Sequence, residues 1–192
     1  MTKKVCFIHT ETTGLHEYQN EKIYKKNLYG YARMVSLSWI IASRTKGNEY
    51  EIEKKEKFII KPRCMFIPED TVQYHGITQE IANKKGTEID DVLDKFLNDI
   101  KSVGVIASHS LDFHFKTVLG EIIRYNKIIH IEKFIFIDIN SFQHKISPST
   151  LSNISKVVLK KDLKDKAMVI DTICQIFFKF YDDYEKSITV LK

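Results

Sequence analysis

The chain has 192 residues, of which 43% are hydrophobic and 29% are charged. This composition is typical of a globular domain and excludes a collagen-like, low-complexity or disulfide-scaffold protein. Lys and Arg outnumber Asp and Glu by 30 to 25, and the resulting net charge of +5 permits a polyanionic partner without requiring one. The length favours a single domain over residues 1–192.

The sequence also limits where the protein is expected to act. It has no apolar run of the roughly 20 residues that a membrane-spanning helix needs, and the short apolar run at residues 5–8 is shorter than a signal-peptide core. The cysteines Cys6, Cys64 and Cys174 are far apart and form no zinc-binding pair. We therefore expect an intracellular protein, cytoplasmic or nuclear, that makes no membrane contact.

The first third of the chain predicts three strands. The run at residues 5–8 predicts a buried strand that ends in a polar turn near Gly14. Residues 16–31 are polar and rich in tyrosine and lysine, with no clean period, and predict a surface loop. Residues 34–42 and 49–60 predict two paired strands joined by a short turn.

The rest of the chain alternates helices with strands. Short helix signals lie between residues 66 and 86, and apolar residues at helical spacing predict an amphipathic helix over 87–100. A strand over 103–107, a helix around 115–123 and a strand within 128–139 follow, and then a short helix over 151–159 and a longer one over 167–184. This order predicts an α/β domain with a mixed sheet flanked by helices.

Four segments resemble the motifs of a known family. The sequence FIHTETTGL at residues 7–15 resembles FxDTETTGL, the first motif of the DnaQ-like (DEDD) 3′-5′ exonucleases. The later motifs of that family are matched, in order, by FIPEDTVQYHGITQEI at 66–81, VGVIASHSLDFHFKTVL at 103–119 and DKAMVIDTICQIFF at 165–178. The resemblance implies an RNase H-like fold with a five-stranded mixed sheet. It also implies hydrolysis from a 3′ end by two divalent metal ions, which four carboxylates hold and a histidine assists as general base.

The chain departs from this pattern at the metal-binding positions. His9 stands where the family has its first aspartate, and His114 stands where it has its second. Glu11 remains as the catalytic carboxylate of the first motif. Because a neutral imidazole offers one nitrogen to one metal ion, His9 cannot bridge two ions as an aspartate does.

The last motif can be aligned in two registers. Alignment on Ala167 places Asp165 at the family's histidine and Ile170 at its aspartate. Alignment on Asp171 places Lys166 at the histidine. Neither register restores both groups, so we expect the general base, commonly worth about 10² to 10⁴-fold in rate, to be lost as well.

Two functions are compatible with these substitutions. The first is a catalytically impaired or inactive exonuclease-fold protein that acts as a nucleic-acid-binding or protein-interaction module. The second is an active 3′-5′ exonuclease or phosphodiesterase with an altered metal site built from His9, Glu11, His114 and Asp171. Such a site would take Mn²⁺, Zn²⁺ or Mg²⁺, and two imidazoles with a carboxylate suit the transition metals better.

The resemblance also implies a set of substrate contacts. They correspond to the family's segment against the terminal nucleotide, to its HGIT turn and to its substrate-contacting asparagine: Thr12, Thr13, Gly14, Leu15, His75, Ile77 and Ser110. Structural roles are the alternative, with Gly14 at a positive φ in a tight turn and Thr78 as the N-cap of a helix.

Two further segments bear on partners. The lysines before the last helix, with Lys160 and Lys161 at their centre, are candidates for phosphate contacts or a solvated face. The tyrosines of residues 16–31 are interleaved with lysines, a combination that holds single strands by stacking and charge. We therefore expect single-stranded DNA or RNA as the partner, with a protein partner or a second copy of the chain as further options.

Overall fold

One mixed sheet forms the centre of the molecule. The computed structural model describes residues 4–18, 20–142, 150–163, 165 and 168–190. Its strands are β1 (Val5–Thr12), β2 (Met34–Arg44), β3 (Tyr50–Ile59), β4 (Val105–Ser108) and β5 (Ile135–Asp138). They lie in the order β3-β2-β1-β4-β5, with β1, β2 and β3 antiparallel and with β4 and β5 parallel to β1. The predicted five-stranded mixed sheet is confirmed.

Seven α-helices are described around this sheet. They are α1 (Glu69–His75), α2 (Gln79–Lys85), α3 (Ile89–Asp99), α4 (Leu111–Arg124), α5 (Leu151–Ile154), α6 (Val169–Lys179) and α7 (Tyr181–Val190). A π-helical turn, Ser155–Leu159, continues α5. Across the described ranges, no helix combines the length and the apolar character needed to cross a lipid bilayer.

The alternation of side chains along β1 and β2 divides the interior into two cores. Phe7 and Ile40 belong to a buried cluster with α6 on one face of the sheet. Ile8 and Trp39 belong to a cluster with α3 and α4 on the other face. Successive side chains of a strand point to opposite faces of the sheet. His9 is two residues after Phe7 and therefore lies on the same face, the one that α6 covers.

β1 is longer than the apolar run at residues 5–8 predicts. It extends to Thr12 because β2 pairs with it along its whole length, from Val5 opposite Ala42 to Thr12 opposite Met34. β4 pairs with β1 only as far as Phe7. The last part of β1 therefore has a strand neighbour on one side only, and its other edge faces α4.

Two other elements differ from the sequence prediction. β5 is four residues long because β4, its neighbour, offers four residues for pairing. The helix predicted over 167–184 divides at Phe180, whose backbone leaves the helical region, into α6 and α7. Thr150 caps α5 by accepting a hydrogen bond from the Asn153 amide, whereas residues 147–149, expected to open this helix, lie outside the described residues.

A buried carboxylate joins α4 to the start of β2. Glu121 is 0% exposed. Its Oε1 accepts hydrogen bonds from Arg33 Nε at 2.8 Å, from the Met34 amide at 3.1 Å and from Arg124 Nη1 at 3.1 Å. The two arginines compensate the charge of the carboxylate, which would otherwise be costly to bury.

The same cluster holds the neighbouring loops. Arg124 Nη2 donates to the Leu28 and Tyr31 carbonyls. These hydrogen bonds hold the end of the tyrosine-rich segment against α4. The Arg33 amide donates to Thr13 Oγ1, and the Thr13 amide donates to the Arg33 carbonyl. Glu121 thus fixes the turn that follows β1. This turn contains the TTGL sequence of the first motif.

We predict that Glu121→Ala destabilises the fold by about 3–5 kcal/mol, because it removes a fully buried carboxylate that pairs with two partly buried guanidinium groups. Urea unfolding followed by circular dichroism measures this change. The control is Glu132→Ala, which removes an exposed carboxylate paired with His130 and should leave the free energy of unfolding essentially unchanged. Equal stability of the two variants would contradict the assigned role.

Candidate functional site

The unpaired edge of β1 is completed by a side chain of α4. The Thr10 amide donates a hydrogen bond to His114 Nδ1 at 3.1 Å, and Thr10 Oγ1 lies 2.9 Å from the same nitrogen. Because a backbone N–H can only donate, this bond assigns Nδ1 as the acceptor and places the imidazole proton on Nε2. His114 therefore has no lone pair left for a metal ion in this arrangement.

The environment of His114 also favours its neutral form. The residue is 7% exposed. Burial lowers the pKa of His114 well below its usual range, and the nearby imidazoles of His9, His109 and His16 lower it further. The side chain is consequently a neutral hydrogen-bonding group rather than a source of charge.

His9 and Glu11 lie next to His114. The His9 and His114 rings have their centroids 4.6 Å apart, and His9 Nε2 lies 3.3 Å from Glu11 Oε1. His9 Nδ1 is buried and has no hydrogen-bond partner among the described residues. Three of the four predicted metal ligands, His9, Glu11 and His114, are thus brought together.

The fourth predicted ligand has a different partner. Both carboxylate oxygens of Asp171 accept hydrogen bonds from Lys55 Nζ, at 2.6 and 2.8 Å. The preceding residue, Ile170, lines the cavity beside His9 and Glu11. Lys166 and Ala167, which distinguish the two registers of the last motif, lie outside the described residues.

A cavity of about 100 Å³ lies on the α6 side of the sheet, at the ends of the first three strands. It is lined by polar side chains of the strands, by the turn after α1 and by the first turn of α6: His9, Glu11, Ser36, Ser38, Lys57, Ile59, His75, Ile77, Val169 and Ile170. His9 is paired with Ser38, and Ser38 with Lys57, so these three residues form one row across the sheet. Glu11 is the one carboxylate of this described lining.

A second cavity, of about 420 Å³, lies on the other side of Glu11. It runs between the TTGL turn and α1, and Leu15 and Tyr74 are its large, exposed side chains. Glu11 and His75 line both cavities. The two cavities therefore form one continuous region along the end of β1.

The structure confirms the structural roles expected for two turns. Gly14 has a φ of 148°, and Thr12 Oγ1 donates to the Gly14 carbonyl at 2.7 Å. Thr78 is the N-cap of α2, because its side chain accepts a hydrogen bond from the Ile81 amide. The roles of these segments in substrate binding stay predictions.

The HGIT turn presents a defined histidine. The Ile77 amide donates to His75 Nδ1 at 3.0 Å, which places the imidazole proton on Nε2. Gly76 between them has a φ of 74°, a left-handed conformation that glycine adopts without strain. His75 and Ile77 both line the smaller cavity, as the resemblance implied for residues beside the site.

The remaining predicted contacts lie farther out. The Ser110 and Leu111 amides donate to the Asp138 carboxylate at 3.2 and 2.8 Å, so Asp138 holds the first turn of α4. Lys160 has a φ of 57° at the end of the π-helical turn, and it and Lys161 are exposed. In the described structure, Ser110, Lys160 and Lys161 line neither cavity.

Several residues that line the two cavities were missed by the sequence analysis, and the polar or aromatic ones include Ser36, Ser38, Lys57 and Tyr74. A signal for the serines was present, because Ser36 and Ser38 alternate within the otherwise apolar run MVSLSWII. Two polar residues, two positions apart on a buried strand, lie on the same face of the sheet and indicate that this face is not covered by an ordinary apolar core. Their pairing with the first motif and with Lys57 depends on strand register, which the sequence did not specify.

The fold and the motif positions define a domain of the exonuclease fold. Residues 6–144 match the family model for the RNase T exonucleases, and the chain belongs to this family. The family resemblance of the motifs is thereby confirmed. No curated protein matches the chain by sequence.

Solved structures of exonuclease I share the fold. The Escherichia coli enzyme in complex with a dT13 oligonucleotide matches 98% of this chain and 43% of its own, with a TM-score of 0.73 and 13% identity. A product-bound exonuclease I matches 95% and 44%, with a TM-score of 0.72 and 13% identity. The enzyme from Methylocaldum szegediense matches 94% and 40%, with a TM-score of 0.67 and 11% identity. The chain spans less than half the length of these proteins, and the likeness confirms the RNase H-like fold.

We predict that His114 makes the fold sensitive to acid. The unfolded chain binds a proton at this residue below about pH 6.5, whereas the native state does not until its lowered pKa is reached. Stability is therefore complete above that pH and falls below it, by up to about 1.4 kcal/mol per pH unit for this group. His114→Gln, whose amide oxygen still accepts from Thr10, should reduce the loss measured by urea unfolding between pH 7 and pH 5.

His130→Gln is the matched control, because His130 is an exposed histidine. It should leave the acid sensitivity unchanged. His16 also has a pKa lowered by burial, so the His114→Gln protein retains the share due to His16. Identical pH profiles for wild type and His114→Gln would contradict the prediction.

Proposed function

We propose that this exonuclease-family chain binds single-stranded nucleic acid and that its two-metal centre is degenerate, so that cleavage is absent or very low. The observation that carries the proposal is the hydrogen bond from the Thr10 amide to His114 Nδ1. It converts a position that supplies a metal ligand in the family into part of the backbone hydrogen-bonding of β1.

The other positions support the same conclusion. A pair of Mg²⁺ ions requires several anionic oxygen ligands. Of the positions that would supply them, residue 9 is a histidine, and the last motif offers either Ile170, which is buried, or Asp171, whose carboxylate is paired with Lys55. Glu11 is the one carboxylate on the described lining of the smaller cavity. Throughout the described residues, no three His, Cys, Asp or Glu side chains converge as metal ligands do. The residues present do not fit two divalent ions.

The proposed binding of a single strand is supported by the larger cavity. Leu15 is 76% exposed at its rim, and Tyr74 is exposed on α1 beside it. An apolar side chain and an aromatic ring at the mouth of a cleft are suited to contact unpaired bases, whose faces stack without sequence preference. Exonuclease I, which shares this fold, has been solved with a dT13 oligonucleotide bound.

The charge distribution supports the same proposal. The chain has a net charge of +5, which favours a polyanion. Lys160 and Lys161 are exposed, and Lys26 lies over the exposed ring of Tyr24 at 5.9 Å from its centroid. These groups supply the backbone contacts that a sequence-independent single-strand binder needs.

We predict that the protein releases no nucleotides from 3′-labelled single-stranded DNA or RNA in Mg²⁺, Mn²⁺ or Zn²⁺, because the lost ligands leave the metal ions without a binding site. The measurement is a gel or chromatographic assay of the labelled strands. Glu11→Ala and His9→Ala proteins, purified in parallel, are the controls for contaminating nucleases.

The alternative function makes the opposite prediction. If cleavage occurs in one metal and disappears in both variants, the chain is an enzyme with a rebuilt metal site and the proposal is wrong. Cleavage that persists unchanged in both variants comes from a contaminant. The His9 Nδ1 atom, buried and without a partner among the described residues, is the atom that such a rebuilt site would use.

We predict micromolar or weaker binding of short single strands that weakens with salt and depends on Leu15. Leu15→Ser should weaken binding about five- to thirtyfold, since the apolar burial of this side chain against a base is worth about 1–2 kcal/mol. Fluorescence anisotropy with labelled DNA and RNA strands measures it. Ile128→Ser is the matched control, because Ile128 is 77% exposed and lines neither described cavity.

The same assay separates a binder from a protein-interaction module. Absence of any salt-sensitive binding would overturn the proposal and favour a protein partner for the cleft. Equal weakening by Leu15→Ser and Ile128→Ser would show that the effect is not specific to the cleft. The double variant Lys160→Glu, Lys161→Glu tests the basic surface, and unchanged affinity would remove that surface from the proposal.

A further inference from the structure

Lys57 differs from the other lysines of its strand. Lys54 is paired with Asp99 and Lys55 with Asp171. Within the part of the chain that the structure describes, the Lys57 ammonium has neither an ion pair nor a hydrogen bond, and the residue lines the smaller cavity. An unpaired cation at a cavity wall attracts an anion.

Polar groups of β2 and of the HGIT turn lie on the same lining as Lys57. Ser36 contributes a hydroxyl group from β2, whereas the Ser38 hydroxyl already donates to the His9 carbonyl at 3.4 Å. His75 carries its proton on Nε2, because its Nδ1 accepts from the Ile77 amide. These donors lie on the same lining as Lys57, so one anion can contact several of them.

The first turn of α6 lines the same cavity. Its residues there, Val169 and Ile170, are apolar and carry no charge against an anion. Glu11 is the opposing carboxylate, and it lies within hydrogen-bonding distance of His9.

From these contacts we infer that the cavity binds a phosphomonoester directly, without a divalent ion, and that its ligand is a 3′-terminal phosphate on a single strand. This inference rests on the proposed function, the binding of a single strand beside Leu15 and Tyr74. The first motif, which the resemblance places against the terminal nucleotide, contributes Glu11 to the lining of both cavities.

Charge favours a terminal phosphate over an internal one. A phosphomonoester carries about 1.5 to 2 negative charges at pH 7, more than the single charge of a diester. The Lys57 ammonium therefore attracts a phosphomonoester more strongly than a diester.

The experiment compares one labelled strand with a 3′-phosphate and the same strand with a 3′-hydroxyl, by anisotropy in EDTA. We expect the phosphorylated strand to bind at least about tenfold tighter, a difference of about 1.4 kcal/mol. Lys57→Gln should reduce this preference to less than twofold. Lys55→Gln, which removes one positive charge from the same strand and the same face, should retain it.

The outcomes distinguish this inference from the proposed function. Equal binding of both strands, or a phosphate preference that appears only after Mg²⁺ is added, overturns the inference and leaves single-strand binding intact. If neither strand binds, the proposed function fails. A thermal-shift titration with a nucleoside 3′-monophosphate then tests the cavity alone: stabilisation that Lys57→Gln abolishes supports a mononucleotide as the ligand, and no stabilisation overturns the inference.

Discussion

The site depends on the unequal lengths of two neighbouring strands. β1 runs to Thr12, but β4 accompanies it only to Phe7, so the Thr10 amide has to find a partner outside the sheet. Buried backbone donors without partners are costly, and His114 of α4 meets this requirement. The side chain at position 114 therefore accepts a hydrogen bond from the backbone of β1, and this role limits the other chemistry that it can perform.

The electrostatic character of the cleft follows from a small number of side chains. His114 is neutral, Asp171 is compensated by Lys55, and the Glu11 carboxylate lies beside His9. Lys57 lines the smaller cavity and carries a positive charge. Under the further inference, this cavity binds a terminal phosphate directly, without a metal ion between the phosphate and the protein.

The sequence predicted the sheet, the helices and the family because these depend on local periodicity and on contiguous motifs. It missed what depends on register and distance. The pairing of Lys57 with Ser38 and His9 requires the alignment of three strands, and Glu121 meets Arg33 across 88 positions of the chain. The sequence also left Asp171 among the possible metal ligands. The last motif can place either Ile170 or Asp171 at its aspartate position, and the face of the helix on which each residue lies depends on where the helix starts.

Ile170 has a consequence for how such a domain changes over time. It is buried in the core that Phe7 and α6 form, next to the cavity. An aspartate introduced there alone would place a carboxylate among aromatic and aliphatic side chains, and its desolvation would cost stability. Under the proposed function, a two-metal centre is therefore not regained at this position by a single substitution without loss of stability. The loss of the centre is then hard to reverse, and selection acts on what the remaining cavity binds.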